Sequence, residues 1–211
     1  MSYGFLDIAS TDSVRTVQAE MGADGIWRGF SGQREFDSFT PAEMRFIAER
    51  DSFFMASASE TGWPYVQHRG GPAGFLKVLD EKTLAFADYR GNRQYISVGN
   101  LRADDRAALI LMDYAGRARL KIYAHVEAVA LDADPALTER VLDPGYRARP
   151  ERILRLRLEA FDWNCPQHIV PRFTEAEIST AVTPLRERLE ALEAENSALR
   201  AQLAARGAGP A

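Results

Sequence analysis

The sequence predicts a mainly β chain: an antiparallel barrel with helices at its flanks. Three observations point there. Short apolar or alternating runs recur between about residues 52 and 161. Turn signals such as "ETGWP" (60–64) and "DEK" (80–82) separate them at hairpin spacing. Helical patterns lie around these runs instead of alternating regularly with them, as parallel β–α units would require.

Taken in order, 11–21 reads as a short helix capped by Thr11 or Asp12. Residues 22–39, with Gly22, Gly25, Gly29 and Gly32, read as loop. "TPAEMRFIAER" offers Thr40 as N-cap, Pro41 at the first helical position and Glu43 to close a capping box, which predicts a helix over 41–50. Strands follow at 52–59 and 65–70, and "GFLKVLD" and "TLAFAD" form a hairpin. After the loop "YRGNR", residues 94–102 read as helix. "RAALILMDY" (106–114) is apolar enough for a central strand. Residues 118–131 alternate Leu120, Ile122 and Ala124 with Lys121, Tyr123 and His125. "DPALTERVL" is a short helix capped by Asp134, and 152–161 alternates Leu154, Leu156 and Leu158 with Arg155, Arg157 and Glu159.

The bulk properties fit this plan. At 211 residues the chain can bury a substantial core, and 46% hydrophobic and 27% charged residues are ordinary for a globular domain. A net charge of −4 argues against a general nucleic-acid or membrane binder. With Cys165 as its single cysteine, the chain has no intrachain disulfide framework. The first residues lack the basic-then-apolar pattern of a signal peptide, so a cytoplasmic location is expected.

Candidate chemistry centres on "DYRGNRQY" (88–95). Gly91 permits a tight turn, and Asn92, Arg93 and Gln94 present donors where a following helix already favours an anion. Arg90 and Arg93 would neutralise that anion, since the guanidinium fork suits a phosphate. The alternative is a surface turn with solvated arginines. "QHRGGP" (67–72) adds Arg69 at the end of a strand expected beside 83–88.

The order "WPYVQHRGG…FLKVLDEKTLAFADYRGNRQY…RAALILMDY…RLKIYAHVEA" resembles the pyridoxamine 5′-phosphate oxidase superfamily of FMN-binding split barrels, from about residue 40 to about 173. "FDWNCPQHIVPRFT" resembles the ending of a flavin-nucleotide-binding subgroup. The resemblance implies a six-stranded antiparallel barrel that dimerises, with two FMN molecules at the dimer interface and a small-molecule substrate. It implies phosphate ligands at Arg69, Arg93 and Gln94, with Asn92 beside them. Asp88 is implied near the flavin ring or ribityl chain, and Arg119 near the flavin. Gln94 stands where vitamin-processing members commonly carry Lys, and their C-terminal Arg-x-His substrate motif is absent. FMN binding is therefore the firmer expectation, and vitamin B6 oxidation the weaker one. An FMN-dependent oxidoreductase and a non-catalytic flavin sensor both fit, and related split barrels bind deazaflavin or haem.

The segment "DWNCPQH" (162–168) allows several readings. Cys165 and His168, three apart across Pro166, are no recognised nucleophile–base arrangement, and one Cys with three His residues makes a poor metal site. It can be a structural loop with a buried Cys. It can also be a pocket wall, in which Trp163 offers a stacking face and Asn164 and Gln167 a polar edge. The resemblance favours the wall, with Trp163 donated by the other subunit.

The division expected is 1–173 for the barrel with its N-terminal helical segment, 174–205 for a C-terminal helix and 206–211 for a disordered tail. In that helix Ile178, Val182, Leu185, Leu189, Leu192, Asn196, Leu199 and Leu203 step by four and three, a heptad seam. A coiled coil is expected, by which dimers become tetramers if the two tails of one dimer do not meet. Thr174 and Glu177 form a capping box at its start, and Pro184 is the one residue that opposes a continuous helix.

Overall fold

The computed structural model describes residues 4–27, 38–163 and 166–207. Asn164, expected at the site, and Cys165, read as a buried Cys of a structural loop, lie outside the described residues, as does most of the expected 22–39 loop. The chain divides into two compact units, Met1–Ile169 and Val170–Ala211.

The first unit is built on a seven-stranded antiparallel sheet. Its strands are β1 (Ser52–Ala58), β2 (Pro64–Gly70), β3 (Lys77–Asp80), β4 (Thr83–Tyr89), β5 (Arg106–Asp113), β6 (Ala118–Val129) and β7 (Pro150–Trp163). They are ordered β2-β1-β5-β6-β7-β4-β3. This corrects the expected six-stranded barrel, because the sheet is open. The two end strands, β2 and β3, are not paired with each other; β3 pairs only with β4. The reason lies in β3, a four-residue strand with a register shift between Val78 and Asp80, which presents too short an edge.

Side chains span what hydrogen bonds do not. Phe53 on β1, Phe75 in the β2–β3 connection and Phe86 on β4 pack with ring centroids 5.2–6.2 Å apart. Gly71 and Gly74 make that connection possible. A Cβ on Gly71 would fall 2.7 Å from the Phe75 ring, and Gly74 has φ +76° with the Ala48 carbonyl 2.8 Å from where a Cβ would sit.

The main core holds Phe46, Ile47, Phe53, Met55, Leu109, Leu111, Leu120, Ile122 and the leucines 154, 156 and 158. The alternation expected on β6 and β7 places these leucines inside, and Ile153 reaches a second cluster with Leu137 and Val141. β5 is less buried than its apolar sequence suggests, since Ile110 is exposed on the outer face.

The helices follow their caps. α2 (Asp12–Glu20) starts at Thr11, whose hydroxyl accepts from the Val14 N–H, and α4 (Pro41–Ala48) has the full Thr40–Glu43 box. α6 (Pro135–Val141) is capped by Asp134. α5 (Ile96–Ala103) begins slightly later than expected. α3 (Asp24–Trp27) and α1 (Phe5–Ala9) carry no strong sequence signal. α1 is fixed by one residue: Phe5 is buried, stacks on Tyr123 at 4.3 Å and lies under the Lys121 ammonium. In the second unit, α7 (Glu175–Gly207) is one helix that runs through Pro184. Thr174 and Glu177 make the expected capping box, with hydrogen bonds of 2.7–3.2 Å. No helix among the described residues is long and apolar enough to cross a membrane.

Candidate functional site

The two clusters singled out in the sequence meet. Tyr65, Gln67 and Arg69 share one face of β2 by its period of two, and together with Asp88 on β4 and the 91–98 turn they line a cavity of ≈ 210 Å³. Arg69 Nη1 donates to Asp88 Oδ1 at 2.6 Å, which ties β2 to β4 across the open part of the sheet. Arg152 Nε lies 3.5 Å from the other Asp88 oxygen. The Arg69 side chain is nearly buried, yet its Nε has no hydrogen-bond partner; it is the one buried side-chain polar atom so left among the described residues. An unmet donor of this kind costs about 1–3 kcal/mol and calls for an explanation.

The turn carries a second unusual feature. Arg93 (φ 64°) and Tyr95 (φ 55°) are left-handed, although neither is glycine. Each such residue costs on the order of 1–3 kcal/mol and persists where the surroundings impose it. Asn92 braces the turn: its Oδ1 accepts from the Gln94 backbone N–H at 3.1 Å and its Nδ2 donates to Gln94 Oε1 at 3.2 Å. Gly91, expected to provide the turn, does not have a left-handed φ, and a Cβ there would meet nothing. The tight backbone is at Arg93 and Tyr95 instead.

Tyr95 is the residue before α5, and no side chain caps that helix. Its first N–H groups therefore lack intrahelical partners and carry the positive end of the dipole toward the turn. Ser97, in the same first turn, donates to Gln67 Oε1 at 2.8 Å. Tyr95 is itself held by Glu151, which accepts from its hydroxyl at 3.1 Å, and by the Arg152 guanidinium over its ring.

Charge does not make this an anion site by simple excess. Among the lining residues Arg69 and Arg93 oppose Asp88 and Glu151. Arg90 and Arg152, paired to Glu151 and Asp88, bring the six groups to four positive and two negative, a surplus of +2. An anion would replace no existing partner of Arg69 Nε and would meet free N–H groups at α5. The residues present thus fit a phosphate.

Of the expected residues, Arg69, Asp88, Asn92, Arg93 and Gln94 line one cavity. Arg119 does not. It lies on β6 opposite Met112. Trp163, at the end of β7, is held to α4: its Nε1 donates to Glu43 Oε1 at 2.6 Å and its ring meets Phe46 edge-on at 4.8 Å. Gln167 and His168 form an exposed turn. Sequence reading missed Gln67, Tyr95, Ser97, Glu151 and Arg152. For Gln67 the signal was present, because it lies two residues from Arg69 on the same strand face.

A larger groove of ≈ 670 Å³ lies elsewhere, lined by His125, Glu127, Arg140, Arg155 and others. Two pairs of its ionic groups are matched: His125 Nδ1 with Asp105 at 2.9 Å and Arg155 with Glu127 at 2.5 Å. Arg140 donates to the Leu79 carbonyl at 2.5 Å. The smaller cavity differs in that a residue lining it, Arg69, carries the buried unmet donor. No group of three or more His, Cys, Asp or Glu among the described residues is arranged to hold a metal.

Residues 39–162, more than half of the chain, match the family model described as pyridoxamine 5′-phosphate oxidase. The chain belongs to that family. The matched span of the oxidase family contains the whole β2–β4–turn site and ends one residue before Trp163. No curated protein matches the sequence. Several solved structures are similar at low identity. A protein related to general stress protein 26, of the pyridoxinephosphate oxidase family, from Clostridium acetobutylicum is 16% identical, with a TM-score of 0.45 over 65% of this chain and 94% of that one. A structure described as an F420 reductase is 20% identical, with a TM-score of 0.41 over 58% and 98%. HutZ, the heme storage protein of Vibrio cholerae, is 14% identical, with a TM-score of 0.38 over 58% and 92%.

Proposed function

We propose that this member of the pyridoxamine 5′-phosphate oxidase family binds FMN and acts as an FMN-dependent oxidoreductase on a small molecule. The observation that carries the reading is that Arg69, whose buried Nε is unmet, lines one cavity with the uncapped start of α5. Arg69, Arg93, Gln94, Ser97 and the α5 backbone would hold the phosphate, and Asp88 would fix Arg69. The flavin, when bound, supplies the hydride chemistry. The chain's own part is to anchor the phosphate end and so orient the ring; no side chain is assigned as acid or base.

The cavity of ≈ 210 Å³ falls below the roughly 300–1,000 Å³ usual for small-molecule pockets. It takes the phosphate end and leaves the ring to be covered from outside the protomer. This supports a homodimer with FMN at its interface, to which the second copy contributes Trp163, Asn164 and Gln167. Exposed Phe54, Ile110 and Val66 share the outer face of β1, β5 and β2, an apolar surface suited to such an interface. The exposed apolar residues of α7 support a second reading, a flavin-binding sensor that acts through its helix.

Titration of the apoprotein with FMN and with riboflavin tests the site. Phosphate anchoring predicts about 10–100-fold tighter FMN, from charge-assisted bonds of roughly 1.5–3 kcal/mol. Equal affinities would refute it. Steady turnover of the bound flavin by NADPH favours the enzyme. Bound flavin without turnover, with a protein captured through α7, favours the sensor. A haem Soret band in the purified protein would remove flavin from both.

A further inference from the structure

The second unit carries one long helix, α7, with a row of exposed apolar residues. Ile178, Leu185, Leu189, Leu192, Leu199 and Leu203 are 42–69% exposed. Together with Val182 and Asn196 they form one seam with alternating steps of four and three, the period of a left-handed two-helix contact. Pro184 falls at the c position, off the seam, and the helix continues through it. We propose that this seam pairs with the same seam of a second copy of the chain, as a parallel, in-register, two-stranded coiled coil.

The occupant follows from the flanks and from one polar residue. In a parallel pair, Arg188 at g faces Glu193 at e of the second copy, and Glu195 at g faces Arg200 at e. Both contacts join opposite charges, so the seam is self-complementary. Charge alone does not fix direction. An antiparallel pair that overlaps all eight seam residues brings Arg188 to Glu195 and Arg186 to Glu193, which is equally favourable. Asn196 decides. In the antiparallel arrangement its amide faces Leu185 and is buried without a partner, whereas in the parallel one it faces Asn196 of the second copy, where each amide can donate to the other.

The test is disulfide trapping in the full chain, with Cys165→Ser as background. Val182→Cys should be almost entirely linked into a covalent dimer by an added mild oxidant, because the two a positions face each other and Asn196 is kept. Glu187→Cys, on the outer f position, should stay monomeric on the same non-reducing gel. Adding Leu189→Asp and Leu192→Asp to Val182→Cys should abolish the link while the β-sheet circular dichroism is retained. Absence of the Val182→Cys link, or equal linking through Glu187→Cys, would overturn the proposal. So would a link formed between co-expressed Val182→Cys and Leu199→Cys chains, which only the antiparallel pair permits.

Discussion

Glu43 and Asp88 are both buried carboxylates, 5% and 6% exposed, and both tie distant parts of the first unit together. Their surroundings differ in one respect. Glu43 is fully met: one oxygen accepts from the Trp163 Nε1–H, the other from the Thr40 backbone N–H and hydroxyl. Asp88 is met by Arg69 and approached by Arg152, but its partner Arg69 keeps an unmet Nε, beside a turn with two left-handed residues. A cluster that satisfies itself locks structure. One that leaves a donor unmet and the backbone strained is arranged for something that is bound.

The largest expected effect comes from breaking the second cluster. Arg69→Ala leaves the Asp88 charge buried with only the more distant Arg152, and should cost about 3–5 kcal/mol of stability in denaturant unfolding. Glu43→Ala removes charge-assisted hydrogen bonds from Thr40 and Trp163 and should cost about 3 kcal/mol, or about 6–12 °C in Tm. Arg93→Ala, at an exposed residue of the turn, should leave stability within about 0.5 kcal/mol. It should weaken FMN by about 10–100-fold and riboflavin little, as read by fluorescence titration. Equal loss for both ligands would remove Arg93 from the phosphate site.

The smallest effect is on acid stability. Burial works to raise the Glu43 carboxyl, but hydrogen bonds from Thr40 and Trp163 outweigh it and hold the group below its usual 4.5. A depressed carboxylate stabilises the fold above its unfolded pKa, and that contribution is lost as pH falls through the lower folded value. Wild type should therefore lose stability below about pH 4.5, and Glu43→Gln should lose less over the same range. Parallel pH profiles for the two proteins would contradict this role for Glu43.

What the sequence made legible followed from local rules. Period-two patterns marked β6 and β7, and caps at Thr11, Thr40, Asp134 and Thr174 placed four helix starts. The site was legible where its residues are close in sequence, as with Asn92, Arg93 and Gln94. The left-handed turn was not, because nothing in the residue types of Arg93 or Tyr95 favours positive φ, and the groups that hold Tyr95, Glu151 and Arg152, come more than 50 residues later. The Trp163–Glu43 bond joins residues 120 apart, beyond the reach of periodicity. The open sheet was hidden for a similar reason: pairing of β2 with β3 is a long-range matter that hairpin order does not decide.

The most direct measurement replaces Arg69 and Asp88 together and leaves Arg152 paired with Glu151. Arg69→Met together with Asp88→Leu exchanges a buried pair for apolar side chains of similar size, a change that is often neutral or stabilising. If the pair serves phosphate binding, the double variant should keep wild-type stability within about 1–2 kcal/mol and lose about tenfold or more of its preference for FMN over riboflavin. A double variant that keeps the full wild-type FMN preference would contradict the assignment of this cavity as the phosphate site.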